Sequence, residues 1–231
     1  MLPLRDTLRA RRVPVVTWGI VILNVLVFFY ELSLSPAGLE QMIRKYALLP
    51  SALSLQDAST WFPLLSHMFM HGGWVHFLSN MWILVIFGDN VEDRMGSFKY
   101  LVFYLVGGIA AALIQFFLTS DPTLPMVGAS GAIAAVMGAY LLFFPWARVH
   151  TFIPVFIFPW FIQVPAVIFL GLWFVTQLFS GVLTLAPQTA SAEGGVAWWA
   201  HIGGFAFGLV MAGVFASRKK PRTYADEYYP W

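Results

Sequence analysis

The sequence predicts an all-α polytopic membrane protein: a bundle of six transmembrane helices with a short fourth helix and both termini in the cytoplasm. Three observations carry this expectation. Apolar residues make up 59% of the 231 residues and charged residues only 10%, against about 25% charged in a soluble domain. That much apolar surface calls for a bilayer. The apolar residues fall in six runs, separated by proline, glycine and charge. Finally, eleven of the 13 lysines and arginines sit on one side of the implied topology, and the side richer in Lys and Arg is the cytoplasmic one.

The whole chain, 1–231, reads as a single membrane domain with cytoplasmic tails at 1–14 and 217–231. Arg5, Arg9, Arg11 and Arg12 lead into the first span, Val15 to Tyr30, with no small-residue cleavage pattern behind it, as expected of an uncleaved span. A mixed loop holding Pro36, Gly38, Arg44, Lys45, Pro50 and Asp57 follows. The second span runs from Val75 to Phe87 and on toward Glu92, the third from Tyr100 to Leu118, and the fourth from Ser130 to Pro145. Thr151 to Phe161 is apolar but broken by Pro154 and Pro159, so it reads as an interfacial turn. The fifth span lies within Val164 to Leu185 and the sixth runs from Trp198 to Ala216. The absence of cysteine excludes disulfides, thiolate metal sites and a cysteine nucleophile. A net charge of +2 gives no reason to expect a nucleic-acid partner.

Polar residues inside spans are costly, so each is a functional candidate. Ser130 stands in Gly128-Ala129-Ser130-Gly131 at the start of the fourth span. It is either a packing serine or a nucleophile, and Gly128 and Gly131 let a backbone come close to it. His201 is followed by Gly204, Gly208 and Ala212 at four-residue spacing. The fourth span has its own small-residue stripe in Gly131, Ala134, Ala135 and Gly138. Two such stripes bring helices close and would place Ser130 and His201 within hydrogen-bond distance. His76 and Asn80 share a helix face; they are helix-packing glue or a pair of donors aimed at one point, as an oxyanion site needs. His67 and His71 are structural hydrogen-bonding groups or a metal-ligating pair, although no HExxH is present.

Depth links three of these groups. The fourth span is about 22 Å long against a hydrocarbon core of ~30 Å, and His201 lies about 25 Å and His76 about 21 Å from the cytoplasmic ends of their helices. Ser130, His76 and His201, with Asn80 one turn lower, then share a layer near the outer leaflet.

The pattern resembles the rhomboid family of intramembrane serine proteases. It matches in His67, His71, His76 and Asn80, then in Gly88, Val91, Glu92, Arg94 and Gly96, in the Gly-Ala-Ser-Gly at 128–131, and in Ala200-His201 with the glycines after it. The match runs from about residue 60 to 215 in the family's order. The resemblance implies that Ser130 is the nucleophile, His201 the general base, and His76 and Asn80 the oxyanion donors. Gly128, Gly131, His71, Gly204 and Gly208 would support them, with no cofactor and no metal. Some members stack a tyrosine on the base one turn after the serine; here that position is Ala134, so His201 must be held otherwise. The seventh span of some branches is not expected.

With no acid near His201 in sequence, a Ser-His dyad is the economical expectation. The expected partners are transmembrane protein substrates and membrane lipid, in a prokaryotic plasma membrane. The fifth span, with Phe169, Gly171, Trp173, Phe174 and Gly181, is expected to gate lateral access, helped by the loop Pro187 to Gly195. The alternatives are a catalytically dead relative that binds membrane helices and a small transporter, against which no internal repeat is found.

Overall fold

The computed structural model describes residues 1–54, 56–119, 121–155, 158–184 and 196–217. The loop 187–195 and the basic cluster 218–222 lie outside them. In chain order the elements are β1 (Leu2–Asp6), α1 (Val15–Ser33), α2 (Pro36–Tyr46), a one-turn α3 (Pro63–Ser66), α4 (Trp74–Met95), α5 (Ser97–Leu118), α6 (Ser130–Phe143), β2 (Arg148–Val155), β3 (Phe158–Pro165), α7 (Ala166–Leu183) and α8 (Trp198–Phe215). The six long helices lie on the six apolar runs. Four of them, α1, α5, α7 and α8, are long and apolar enough to cross a membrane, and α6 is a shorter apolar helix. Their outward faces are apolar too: Leu26 and Phe29 on α1, Val175 and Phe179 on α7, and Val210 and Val214 on α8 are exposed.

The all-α expectation is corrected: the protein is mostly helical but also carries a three-stranded antiparallel sheet in the order β1-β2-β3. The first residues are therefore not a free tail, because Leu2 to Asp6 pair with Val149 to Phe152. The segment read as an interfacial turn is a hairpin, with Thr151 opposite Ile162 and Phe152 opposite Phe161. Proline excludes a helix there, and the aromatic and β-branched residues around it favour extended pairing. Pro3 is tolerated because β1 is an edge strand. The sheet is pinned to the bundle by polar bonds. Trp82 Nε1 donates to Pro3 O at 2.6 Å, and Tyr140 Oη and Asn90 Nδ2 donate to Asp6 at 2.5 and 3.0 Å.

The junctions between helices are equally specific. Gly96, at φ +84°, ends α4 and lets α5 begin one residue later, a conformation that disfavours any other residue. α1 has no capping side chain of its own. Glu92 of α4 supplies one, accepting from the N–H of Val16 (3.1 Å) and from the N–H and hydroxyl of Thr17 (2.8 and 2.9 Å). Ser97 Oγ donates to the same carboxylate at 2.6 Å. An acidic group at a helix N-terminus meets both the unpaired donors and the positive end of the dipole.

At the centre stands α6, whose residues Gly131 to Tyr140 are all buried. It packs on α4, α5 and α8. Towards α8 the contact is backbone to backbone. A Cβ added at Gly204 would run into the carbonyl of Gly131, one at Gly208 into that of Ala135, and one at Gly138 into that of Phe205. Carbonyls cannot step aside as a side-chain tip can, so only glycine fits at these positions.

Gly208→Val should therefore destabilise the protein by about 3 kcal/mol, the upper end of the cost of overpacking. Gly213→Ala, where an added Cβ meets nothing within 4 Å, should be neutral or slightly stabilising. Thermal unfolding in detergent checks both, and equal midpoints for the two variants would contradict the close α6–α8 contact.

Asp6 generates a second expectation. Burial pushes its carboxyl up from 3.8 to about 7; the Tyr140 hydrogen bond opposes that shift and the Asp89 carboxylate adds to it. Between these two values the folded protein holds a proton that the unfolded chain releases, so stability falls as pH rises from about 4 to 7. Asp6→Asn removes this contribution and should flatten the decline of the unfolding midpoint across that range. An identical pH profile in both proteins would show that Asp6 is already ionised in the folded state.

Candidate active site

The turn leading into α6 is tied down before Ser130 is reached. Leu48 and Met126 exchange backbone hydrogen bonds of 3.0 and 2.7 Å, and the N–H of Gly128 donates to His67 O at 2.9 Å. Gly128 has φ +124°, which a side chain would rarely accept. A Cβ there would also strike the His76 imidazole and approach Asn80 Nδ2. The chain thus lays its barest residue against His76 and Asn80, two positions before Ser130. Asn80 Nδ2 is buried and has no hydrogen-bond partner among the described residues, an arrangement that costs about 1–3 kcal/mol.

Ser130 is the first residue of α6, where backbone N–H groups have no acceptor within the helix and the dipole is positive. Across the glycine contact, His201 sits in the first turn of α8. The distance from its Nε2 to Ser130 Oγ is 2.8 Å. Gln115 of α5 accepts from the Ala200 N–H at 3.1 Å, capping α8 beside the histidine.

His201 is held by groups outside any motif. Its Nδ1 lies 2.8 Å from Oε1 of Gln177 on α7. The rings of Trp173 and Trp198 flank it at centroid distances of 6.0 and 6.1 Å. Together they occupy the role left open by Ala134. Gln177 and Gln115 are the residues that sequence reasoning passes over. Each is a lone amide in an otherwise apolar run, so the rule that singles out polar residues inside spans covers them too.

The remaining expected residues take their places around this centre. The His71 ring meets that of His76 at 5.2 Å, and the backbone N–H of His71 donates to Glu31 at 3.2 Å. His67 Nδ1 lies 2.8 Å from Pro63 O, a structural bond between turns. Among the described residues no three His, Asp or Glu side chains converge as a metal site would need. Two of the residues expected to gate access, Trp173 and Phe174, turn their rings toward α8. Both rings lie on Phe205 of α8, at 5.7 and 4.7 Å, while Phe169 is the ring of α7 that reaches Phe87 of α4.

This arrangement pairs a hydroxyl with an imidazole, at a helix N-terminus, beside an unused amide donor. Comparison with known proteins places it in a lineage. A family model described as "Rhomboid domain" matches residues 58–218. RHOMBOID-like protein 4 of Arabidopsis thaliana is 32% identical over 158 residues, which is 67% of this chain and 34% of that protein. Rhomboid protease GluP of Bacillus subtilis (strain 168) is 31% identical over 129 residues, 55% of this chain and 24% of that protein. Human presenilin-associated rhomboid-like protein, mitochondrial, is 29% identical over 143 residues, 61% of this chain and 36% of that protein. The matches thus take in only about a quarter to a third of those relatives' lengths. With the family model covering well over half of its residues and the glycine-lined pairing of Ser130 with His201 at its centre, the chain belongs to the rhomboid family.

Proposed function

We propose that the chain is an intramembrane serine endopeptidase that cleaves the transmembrane helices of membrane-protein substrates near the outer leaflet. The observation that carries this reading is the 2.8 Å contact between Ser130 Oγ and His201 Nε2, made between two apolar helices. In this reading the chain is a single membrane domain of six spanning helices with cytoplasmic termini, in a prokaryotic plasma membrane. It needs no cofactor.

The chemistry follows from the geometry. A serine hydroxyl becomes a useful nucleophile when a base takes its proton as it attacks. His201 Nε2 accepts the Ser130 proton while Oγ bonds to the scissile carbonyl carbon. The carbonyl oxygen gains negative charge and meets the Asn80 amide, His76 and the free N–H groups of the first turn of α6. Donors already in place as charge develops lower the barrier more than donors that must reorganise. His201 then passes the proton to the departing amine, and water repeats the sequence on the acyl-serine. A substrate helix must unwind locally, because its own hydrogen bonds shield its carbonyls.

Ser130→Ala should abolish both cleavage of a transmembrane substrate and labelling by a fluorophosphonate probe, with the unfolding midpoint almost unchanged. Labelling and cleavage that survive in Ser130→Ala would refute the nucleophile, and a wild-type protein that neither labels nor cleaves would mark an inactive member of the family.

Asn80→Ala and His76→Ala should each lower kcat by about 10²–10³, the usual cost of one oxyanion donor, and leave residual activity from the backbone donors. Full activity in both variants would remove them from the site.

A further inference from the structure

We infer that Gln177 is a positioning residue that sets the tautomer of His201, making the serine and histidine two members of a three-residue relay that begins on α7. The argument is one of hydrogen-bond polarity. Thr176 Oγ1 donates its only proton to Trp173 O, at 2.6 Å. Its oxygen can then only accept, and it takes a bond from Gln177 Nε2 at 3.1 Å. With the NH₂ end of the amide engaged there, the carbonyl end faces His201 Nδ1 at 2.8 Å. A carbonyl oxygen accepts and never donates, so Nδ1 carries the proton. A neutral imidazole has one N–H, so Nε2 keeps a lone pair, pointed at Ser130 Oγ 2.8 Å away. The direction of every bond is set from the Trp173 carbonyl, and it ends with the serine as donor and the histidine as acceptor.

Three features of the setting agree with this role. Gln177 is buried, with 6% of its surface exposed, so water does not compete for its amide. Its bond to His201 crosses between α7 and α8, joining residues 24 positions apart. A neutral amide does the orienting work that soluble triads assign to an aspartate, without placing an unpaired charge among apolar helices, where ionised carboxylates are expensive. A residue that only glued α7 to α8 would need a bond of some kind to α8, but not one ending on the nitrogen opposite Ser130.

The inference rests on the proposed protease reading for its catalytic consequence and not for its structural content, and the test separates the two. Protein labelled with ¹⁵N in its histidines is examined by NMR in detergent, with His201 assigned by the signal lost in His201→Ala. The wild type should show the Nδ1–H tautomer, and Gln177→Met, similar in length but without an acceptor, should lose that bias. In cleavage of a transmembrane substrate Gln177→Met should lower kcat by about 10- to 100-fold, the size of loss seen when a metal-ligating histidine loses its orienting hydrogen bond, with KM unchanged. Gln177→Glu keeps the acceptor and should restore most of kcat, while its charge favours the imidazolium and moves the acid limb of the pH–rate profile to higher pH. An Nε2–H tautomer in the wild type, or a Gln177→Met protein with wild-type tautomer and kcat, overturns the inference. A tautomer that responds to Gln177→Met in a protein without Ser130-dependent cleavage upholds the positioning role and refutes the protease.

Discussion

Two helix backbones touch, and the site depends on it. Ser130 and His201 are separated by 71 residues and joined by one 2.8 Å contact, which exists because α6 and α8 approach until the positions of Gly204, Gly208 and Gly138 face carbonyls of the other helix. Apolar attraction does little to hold helices together in lipid, whose tails are as apolar as leucine. Close packing of small residues has to supply the association. The same residues therefore set both stability and the distance between the Ser130 hydroxyl and the His201 imidazole. α6 meets α5 by the same means, with Gly131 set against Ala111 and Gly107 against Ala135.

Around this contact the rest of the molecule is fastened by a few polar groups. Glu92 gathers the start of α1 and the start of α5 onto the end of α4. Arg94 and Ser217 exchange bonds of 2.9 and 3.0 Å, clasping the end of α8 to the same place. The sheet closes this end of the bundle through Asp6, Trp82 and Tyr140. The opposite end, where Ser130, His76 and His201 meet, is fastened in the same manner, with the Gly128 N–H bound to His67 O and the His71 N–H to Glu31. Its order also comes from the Leu48–Met126 bridge and from the amides of Gln115 and Gln177.

Much of this is legible in the sequence because a bilayer penalises polar groups heavily. Ser130, His76, Asn80 and His201 stand out against apolar runs, and the glycine stripes show which helices come together. Gln177 obeys the same rule but lies in no motif, and its partner is set by the rotation of α7 about its axis, which apolar periodicity in an all-round apolar helix does not encode. The sheet is hidden for a different reason. Pro154 and Pro159 exclude a helix without specifying a hairpin, and β1 finds its partner some 146 residues away, a pairing that local propensity cannot anticipate. The direction in which Trp173 and Phe174 point is likewise a tertiary fact, decided by Phe205 on the facing helix.

The burial of α6 has a consequence for where such a protein can operate. A helix of 14 residues is about 21 Å long, too short for a hydrocarbon layer of ~30 Å. Exposed to lipid, it would force the bilayer to thin or the helix to shift, at a cost that rises with each ångström of mismatch. Its neighbours bury Gly131 to Tyr140, so most of that cost falls on the outward-facing helices, α1 and α7 above all, which can tilt. The spacing of the groups around Ser130 is thereby uncoupled from membrane thickness: the scaffold adapts at its perimeter while its centre keeps one geometry in thick and thin bilayers alike.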